Sequence, residues 1–164
     1  MKCLVFSDSH GYTLYMKKAI GMHPDAEVVF FLGDGLCEID ALCREYPEKF
    51  FVAVAGNCDF YSFFKGEPAK KTETITVGGY RITATHGDLY GAKYGCGGLI
   101  KLAMDTDSDI VLFGHTHAPF TKYVSESEKP FYLFNPGSAS LSGGASYGIL
   151  MLDTVPFLSH GAFL

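Results

Sequence analysis

KCLVFSDSHG, residues 2–11, is a short apolar run that ends abruptly on a carboxylate, a hydroxyl and an imidazole. An unpunctuated apolar run of this length reads as a strand buried on both faces. The figure repeats downstream. Residues 27–32 form a second apolar run that ends at Gly33-Asp34, and residues 50–55 a third that ends at Gly56-Asn57-Cys58-Asp59. Between them, residues 12–22 carry Leu14, Lys17, Lys18 and Ile20 at helical spacing, and residues 39–46 give a second helix stopped by Pro47. The first third is therefore β-α-β-α-β, which predicts a mostly parallel sheet covered by helices.

The pattern changes in the middle. Residues 72–77 and 80–85 alternate about Gly78-Gly79, as in a hairpin. The glycine-rich stretch 87–98 reads as a loop and residues 99–104 as a short helix. Residues 110–113 are another buried strand, and 120–124, 131–134 and 147–152 are β-segments. The apolar stretch 155–164 reads either as an edge strand or as an interface. The chain shows no internal repeat and no linker. The expectation is a single α/β domain over residues 1–164, two packed mixed sheets in a β-sandwich core flanked by helices.

Composition narrows the function classes. The chain has 164 residues, enough for a real core. It is 48% hydrophobic and 19% charged, which excludes disorder. A net charge of -5 disfavours duplex nucleic acid, although bound cations would reverse the sign locally. The five cysteines, Cys3, Cys37, Cys43, Cys58 and Cys96, form no C-x-x-C pair and suit free thiols in a reducing cytoplasm. No secretory signal and no membrane-length apolar run is visible. Self-association as a homo-oligomer stays open.

The polar residues that need explaining sit at strand ends. Asp8 and His10, Asp34, Asn57, His86, and His115 and His117 each follow an apolar run, usually beside a glycine. That carboxyl edge is where open α/β sheets bind ligands. Asp8 and His10 are two apart, as are His115 and His117, so in extended backbone each pair aims both side chains one way. Oxygen and imidazole donors without thiolate suit divalent manganese, iron, zinc, nickel or cobalt.

Taken in order, D-x-H, G-D, G-N-x-D, H-G and G-H-T-H resemble the calcineurin-like metallophosphoesterases. The similarity runs from Asp8 to Ser138, with Asn135-Pro136-Gly137-Ser138 matching a late motif. The short form with G-N-C-D looks like the small bacterial and archaeal phosphodiesterase branch. The resemblance implies two divalent metals, manganese first. Asp8, His10 and His117 would hold one, Asn57, His86 and His115 the other, and Asp34 would bridge them. It further implies hydrolysis of a small phosphodiester by a hydroxide held between the metals. Two divalent ions bring +4 and the two aspartates remove two, leaving about +2 for hydroxide and a phosphodiester monoanion.

Asn57 and Cys58 would face substrate. Cys58 occupies the position where the larger family carries a histidine that protonates the leaving group; the bland reading is that it packs beneath the loop. His23 and His160 fall outside every motif and read as surface or structural. The aromatic run 60–64 reads as a packed lid or core segment, with the substrate mouth as the sharper option. Two other functions compete. One is a protein-binding scaffold, because a eukaryotic trafficking subunit resembles this fold but has lost ligands. The other is a phosphomonoesterase, disfavoured by the few insertions available to build a groove.

Overall fold

The computed structural model describes residues 1–140 and 144–163. Two five-stranded mixed sheets face each other. The first has β1 (Lys2–Phe6) at its centre, parallel to β2 (Val28–Phe31), which is parallel to β3 (Phe50–Ala53). On its other side β11 (Ser146–Met151) and β12 (Phe157–Ala162) add antiparallel, giving the order β12-β11-β1-β2-β3. The second sheet runs β6-β7-β8-β10-β9, from β6 (Thr72–Val77), β7 (Tyr80–Thr85), β8 (Ile110–Leu112), β9 (Pro119–Val124) and β10 (Phe131–Pro136). β7, β8 and β10 are mutually parallel.

The two-residue period of each strand sorts its side chains into separate cores. Leu4, Phe6, Val29 and Phe31 point outward from the first sheet onto α1 (Leu14–Met22) and α2 (Ile39–Glu45), meeting Met16, Ile20, Ile39 and Leu42. Cys3, Val5, Phe30 and Leu32 point the other way and meet Ile82, Ile110, Leu112 and Phe134 of the second sheet. Val111, Phe113 and Leu133 face α3 (Gly97–Asp105) through Leu99 and Leu102. The result is four layers: helices, sheet, sheet, helix. Each inner strand is buried on both faces, which is why the sequence shows apolar runs there instead of alternation.

Differences from the sequence expectation are local. α1 starts two residues late, and β2, β3 and β8 each stop before the glycine or the last apolar residue. The stretch 87–98 is not plain loop: it holds short 3-10 turns at Asp88–Tyr90 and Ala92–Tyr94, and α3 begins inside it at Gly97. The aromatic run neither packs as a unit nor forms core. Phe60 and Tyr61 are exposed, whereas Phe63–Phe64 (β4) pairs with Glu67–Pro68 (β5) in a separate ribbon and only Phe64 leans on the core. Of the two readings for residues 155–164, the edge strand is what forms; Leu164 lies outside the described residues. Among the described residues no helix is long and apolar enough to cross a membrane, and all five cysteines are free.

Candidate metal centre

β1, β2, β3, β7 and β8 all end at the same edge of the two-sheet core. The loops that follow bring Asp8, His10, Asp34, Asn57, His86, His115 and His117 together. Asp8, Asp34 and His86 are buried; His10, Asn57 and His117 are exposed, and His115 is half-buried. A buried polar floor thus meets a solvent-facing rim.

The convergence does not arise from extended backbone. Asp8, His10, Asp34, His115 and His117 all have positive φ, at 54°, 47°, 59°, 67° and 58°. Left-handed backbone at a non-glycine residue is uncommon and costs energy, and it concentrates at functional sites. Each paired D-x-H or H-x-H converges because both of its members turn sharply. The two-residue spacing brings the members of each pair together through these turns and not through extended backbone.

The hydrogen bonds leave acceptor atoms facing one another. Asp8 Oδ2 accepts from the Ser7 hydroxyl at 2.5 Å and from the His115 N–H at 3.0 Å. Its other oxygen, Oδ1, is buried with no hydrogen-bond donor. His117 Nε2 stands 3.0 Å from it, outside hydrogen-bond geometry, and His10 Nε2 lies 3.4 Å from His117 Nε2. In the neighbouring half, His86 Nδ1 is 2.7 Å from the Leu32 carbonyl, which must accept a proton from it. In the neutral ring that leaves Nε2 without hydrogen. Nε2 nevertheless faces Asn57 Oδ1 at 3.1 Å, His115 Nδ1 at 3.1 Å and Asp34 Oδ2 at 3.4 Å. Lone pairs aimed at lone pairs repel unless a cation sits between them. Oxygen and imidazole donors in this arrangement fit divalent metal in both halves. Ligand atoms of Asp8, His10 and His117 lie within 4.8 Å of one another, as do those of Asp8, Asp34 and His86.

Burial works against charge on His86, but the hydrogen bond to Asp34 and the charges of Asp8 and Asp34 raise its pKa above the ordinary histidine value. Burial likewise pushes Asp34 up, and is outweighed by His86 and by the Cys58 N–H, which donates to Oδ1 at 2.7 Å; the carboxyl ends well below the usual carboxylate range. His115 is held down by burial and by the nearby charges of His86 and Lys93.

Cys58 does not pack beneath the loop. Its side chain is exposed, its sulfur accepts from Asn57 Nδ2 at 3.3 Å, and it lies within 4.8 Å of ligand atoms on His10 and Asp34. Burial and the Asp34 carboxylate push its thiol up. His23 and His160 are remote from the centre: His23 Nε2 meets the Tyr147 hydroxyl at 3.0 Å, and His160 stacks on Phe134 and reaches the Asn135 carbonyl at 2.8 Å.

The role of Asp59 escaped sequence reasoning. Its carboxylate accepts the backbone N–H groups of Asp34, Gly35, Leu36 and Gly56 at 2.7–3.0 Å. It ties the end of β2 to the end of β3 and sets where Asp34 points. Its signal in the sequence is the acidic residue that closes G-N-x-D. Asn135 does similar work on the other side, donating to the Gly114 carbonyl at 2.8 Å and to the Thr116 hydroxyl at 3.0 Å. Ser138 donates to the Asp8 carbonyl at 2.9 Å.

Residues 1–155 match the model of the calcineurin-like phosphoesterase superfamily domain. The probable metallophosphoesterase YsnB of Bacillus subtilis is 32% identical over 156 residues, covering 93% of this chain and 85% of the relative. Phosphodiesterase YfcE of Escherichia coli K12 is 30% identical over 181 residues, covering 97% and 92%. Among solved structures, a predicted phosphoesterase from Streptococcus pneumoniae superposes with TM-score 0.77 at 23% identity, covering 98% of this chain and 88% of that one. Wild-type Vps29 from Entamoeba histolytica, complexed with zinc, superposes with TM-score 0.71 at 23% identity and covers 99% of each chain. The last two likenesses speak to fold; the domain match and the two relatives carry the assignment. This chain belongs to the calcineurin-like phosphoesterase superfamily, within its small bacterial and archaeal phosphodiesterase branch.

Proposed function

We propose that residues 1–164 form one catalytic domain, a phosphodiesterase acting on small diesters with two divalent metals, manganese first. Asp8, His10 and His117 hold one ion and Asn57, His86 and His115 the other. Asp34 contacts both. The observation that carries this reading is the place of Asp34: its carboxylate groups with His10 and Cys58 and also with Asp8 and His86, so it stands near candidate ligands of both ions. A metal pair supplies a water of lowered pKa and a double positive clamp for phosphate oxygens.

The chain's own residues do the rest. Asp59 and the Cys58 N–H orient Asp34. The Leu32 carbonyl fixes the His86 tautomer. Asn57 and Cys58, exposed at the rim, meet the incoming phosphate. Five free thiols and no candidate membrane helix among the described residues support a cytoplasmic setting. The retained ligand set favours an enzyme over a protein-binding scaffold.

The test is metal-analysed protein assayed on aryl phosphodiesters, monoesters and cyclic nucleotides, with Asp34→Ala alongside. Turnover of diesters that vanishes with chelator and in the folded Asp34→Ala protein is the expected result. Undiminished turnover in metal-free protein would rule the mechanism out.

A further inference from the structure

An open apolar pocket of about 300 Å³ lies against the His115–His117 loop. Its wall includes Phe113, two residues before His115, and Thr116, between the two candidate ligands. Phe120 meets Phe113 edge-to-face, with centroids 6.0 Å apart, and Ala92, Ala118 and Pro119 close the remaining sides. Lys93 lines the pocket and stands exposed at its rim.

This pocket is built from the same segments as the metal centre. Gly87, directly after His86, has φ +102°, and a Cβ there would come within 3.0 Å of the Ala92 Cβ and 3.6 Å of the Phe113 Cβ. The missing side chain lets the 3-10 turn at Ala92 close onto Phe113. On the other side, the Asn135 amide holds the Thr116 hydroxyl and the Gly114 carbonyl, so the wall is pinned to β10 and not left to a free loop. A small apolar concavity with one cation on its lip beside a phosphate-binding edge is a subsite, in the sense that apolar walls bind and a few polar groups orient.

We propose that this pocket selects the substrate, taking one compact, flat, apolar ester group of a phosphodiester while Lys93 draws in the anionic phosphate. The inference rests on the phosphodiesterase reading above and deepens it. The volume is more than a single ring needs, so the lining and not the size sets the preference. The lining offers little to pair the hydrogen-bonding edge of a nucleobase, so the favoured group is an aryl ester and not a nucleoside.

Binding tests this without turnover. Phenylphosphonate and methylphosphonate differ only in the group the pocket would take. Their dissociation constants for manganese-loaded protein are measured by calorimetry. In parallel, the methyl resonances of Ala92 and Ala118 are followed by NMR in zinc-loaded protein, which is diamagnetic. The phenyl compound is expected to bind at least tenfold more tightly and to shift both methyls. Filling the pocket with Ala92→Leu, or with Ala118→Leu if the first variant misfolds, is expected to remove that preference. Equal affinities, or a preference that survives filling, overturn the subsite and leave the phosphodiesterase reading standing. Failure of both phosphonates to bind the metal-loaded protein overturns the subsite, and loss of diester turnover in the same preparation would overturn the phosphodiesterase reading as well.

Discussion

Cys58 is the residue where this chain departs most from the larger family's pattern. An exposed thiol whose pKa is raised by burial and by Asp34 stays protonated at neutral pH but is a weak acid. An imidazolium there would be far better, with a reference pKa of about 6.5. General acid catalysis typically adds on the order of a hundredfold to ten-thousandfold. Cys58→His is therefore expected to speed hydrolysis by a factor that grows as the leaving group becomes more basic. Rates on graded phosphodiesters check it, and a uniform response would remove Cys58 from leaving-group chemistry. Asp59 tests the opposite kind of role, positioning without contact. Asp59→Ala strands four backbone donors, with a cost on the order of 3 kcal/mol, so Tm should fall by roughly 6–12 °C by the usual scaling. Metal stoichiometry should fall with it. An unchanged Tm would mean that water satisfies those groups as well as the carboxylate does.

At the scale of elements, the strands were legible because burial on both faces leaves a run of apolar residues that nothing else produces. The hairpin of β6 and β7 was legible from Gly78-Gly79, whose φ values of +56° and +85° only glycine adopts without strain. Seven side chains ending such strands point to metal from sequence alone. What the sequence did not disclose is backbone hand. No residue type announces left-handed geometry at aspartate or histidine, so D-x-H was read as extended. The turns at Asp88–Tyr90 and Ala92–Tyr94 were hidden by glycines at their ends, which mimic loop composition. Close approach was partly visible as glycine beside each ligand. Gly56 shows its purpose: a Cβ there would sit 2.1 Å from Asp34 Oδ1 and 2.6 Å from the Asp34 nitrogen. Gly56→Ala must displace Asp34, at a cost of about 1–3 kcal/mol. Bound metal per chain is expected to drop below half of wild type, read by elemental analysis, while far-UV circular dichroism keeps its shape. Full loading would show that the β2 and β3 ends slide apart without disturbing the carboxylate.

Over the whole molecule, stability and chemistry can be separated by pH and by substitution. His23 packs on Tyr147 far from the centre, and burial, followed by the charge of Lys2, lowers its pKa against the opposing pull of Asp25. The unfolded chain therefore holds this proton more firmly than the folded one. Stability from His23 is full above the unfolded value near 6.5 and declines as pH falls through it toward the folded value. Urea midpoints of metal-free wild type and His23→Gln should diverge between pH 7.5 and 5.5, with wild type losing more; parallel curves would refute the assignment. The left-handed turns at His10 and His117 lead to a different kind of result. Both side chains are exposed, and an L-residue held in that region costs about 1 kcal/mol that glycine avoids. His10→Gly is thus expected to raise the Tm of metal-free protein by about 2–4 °C while weakening metal binding; a lower Tm would show that the histidine is not strained. Under selection for endurance alone, drift would run downhill from enzyme to inert framework, because discarding these ligands makes the apo-protein sturdier. Only continued demand for turnover keeps such a lineage catalytic.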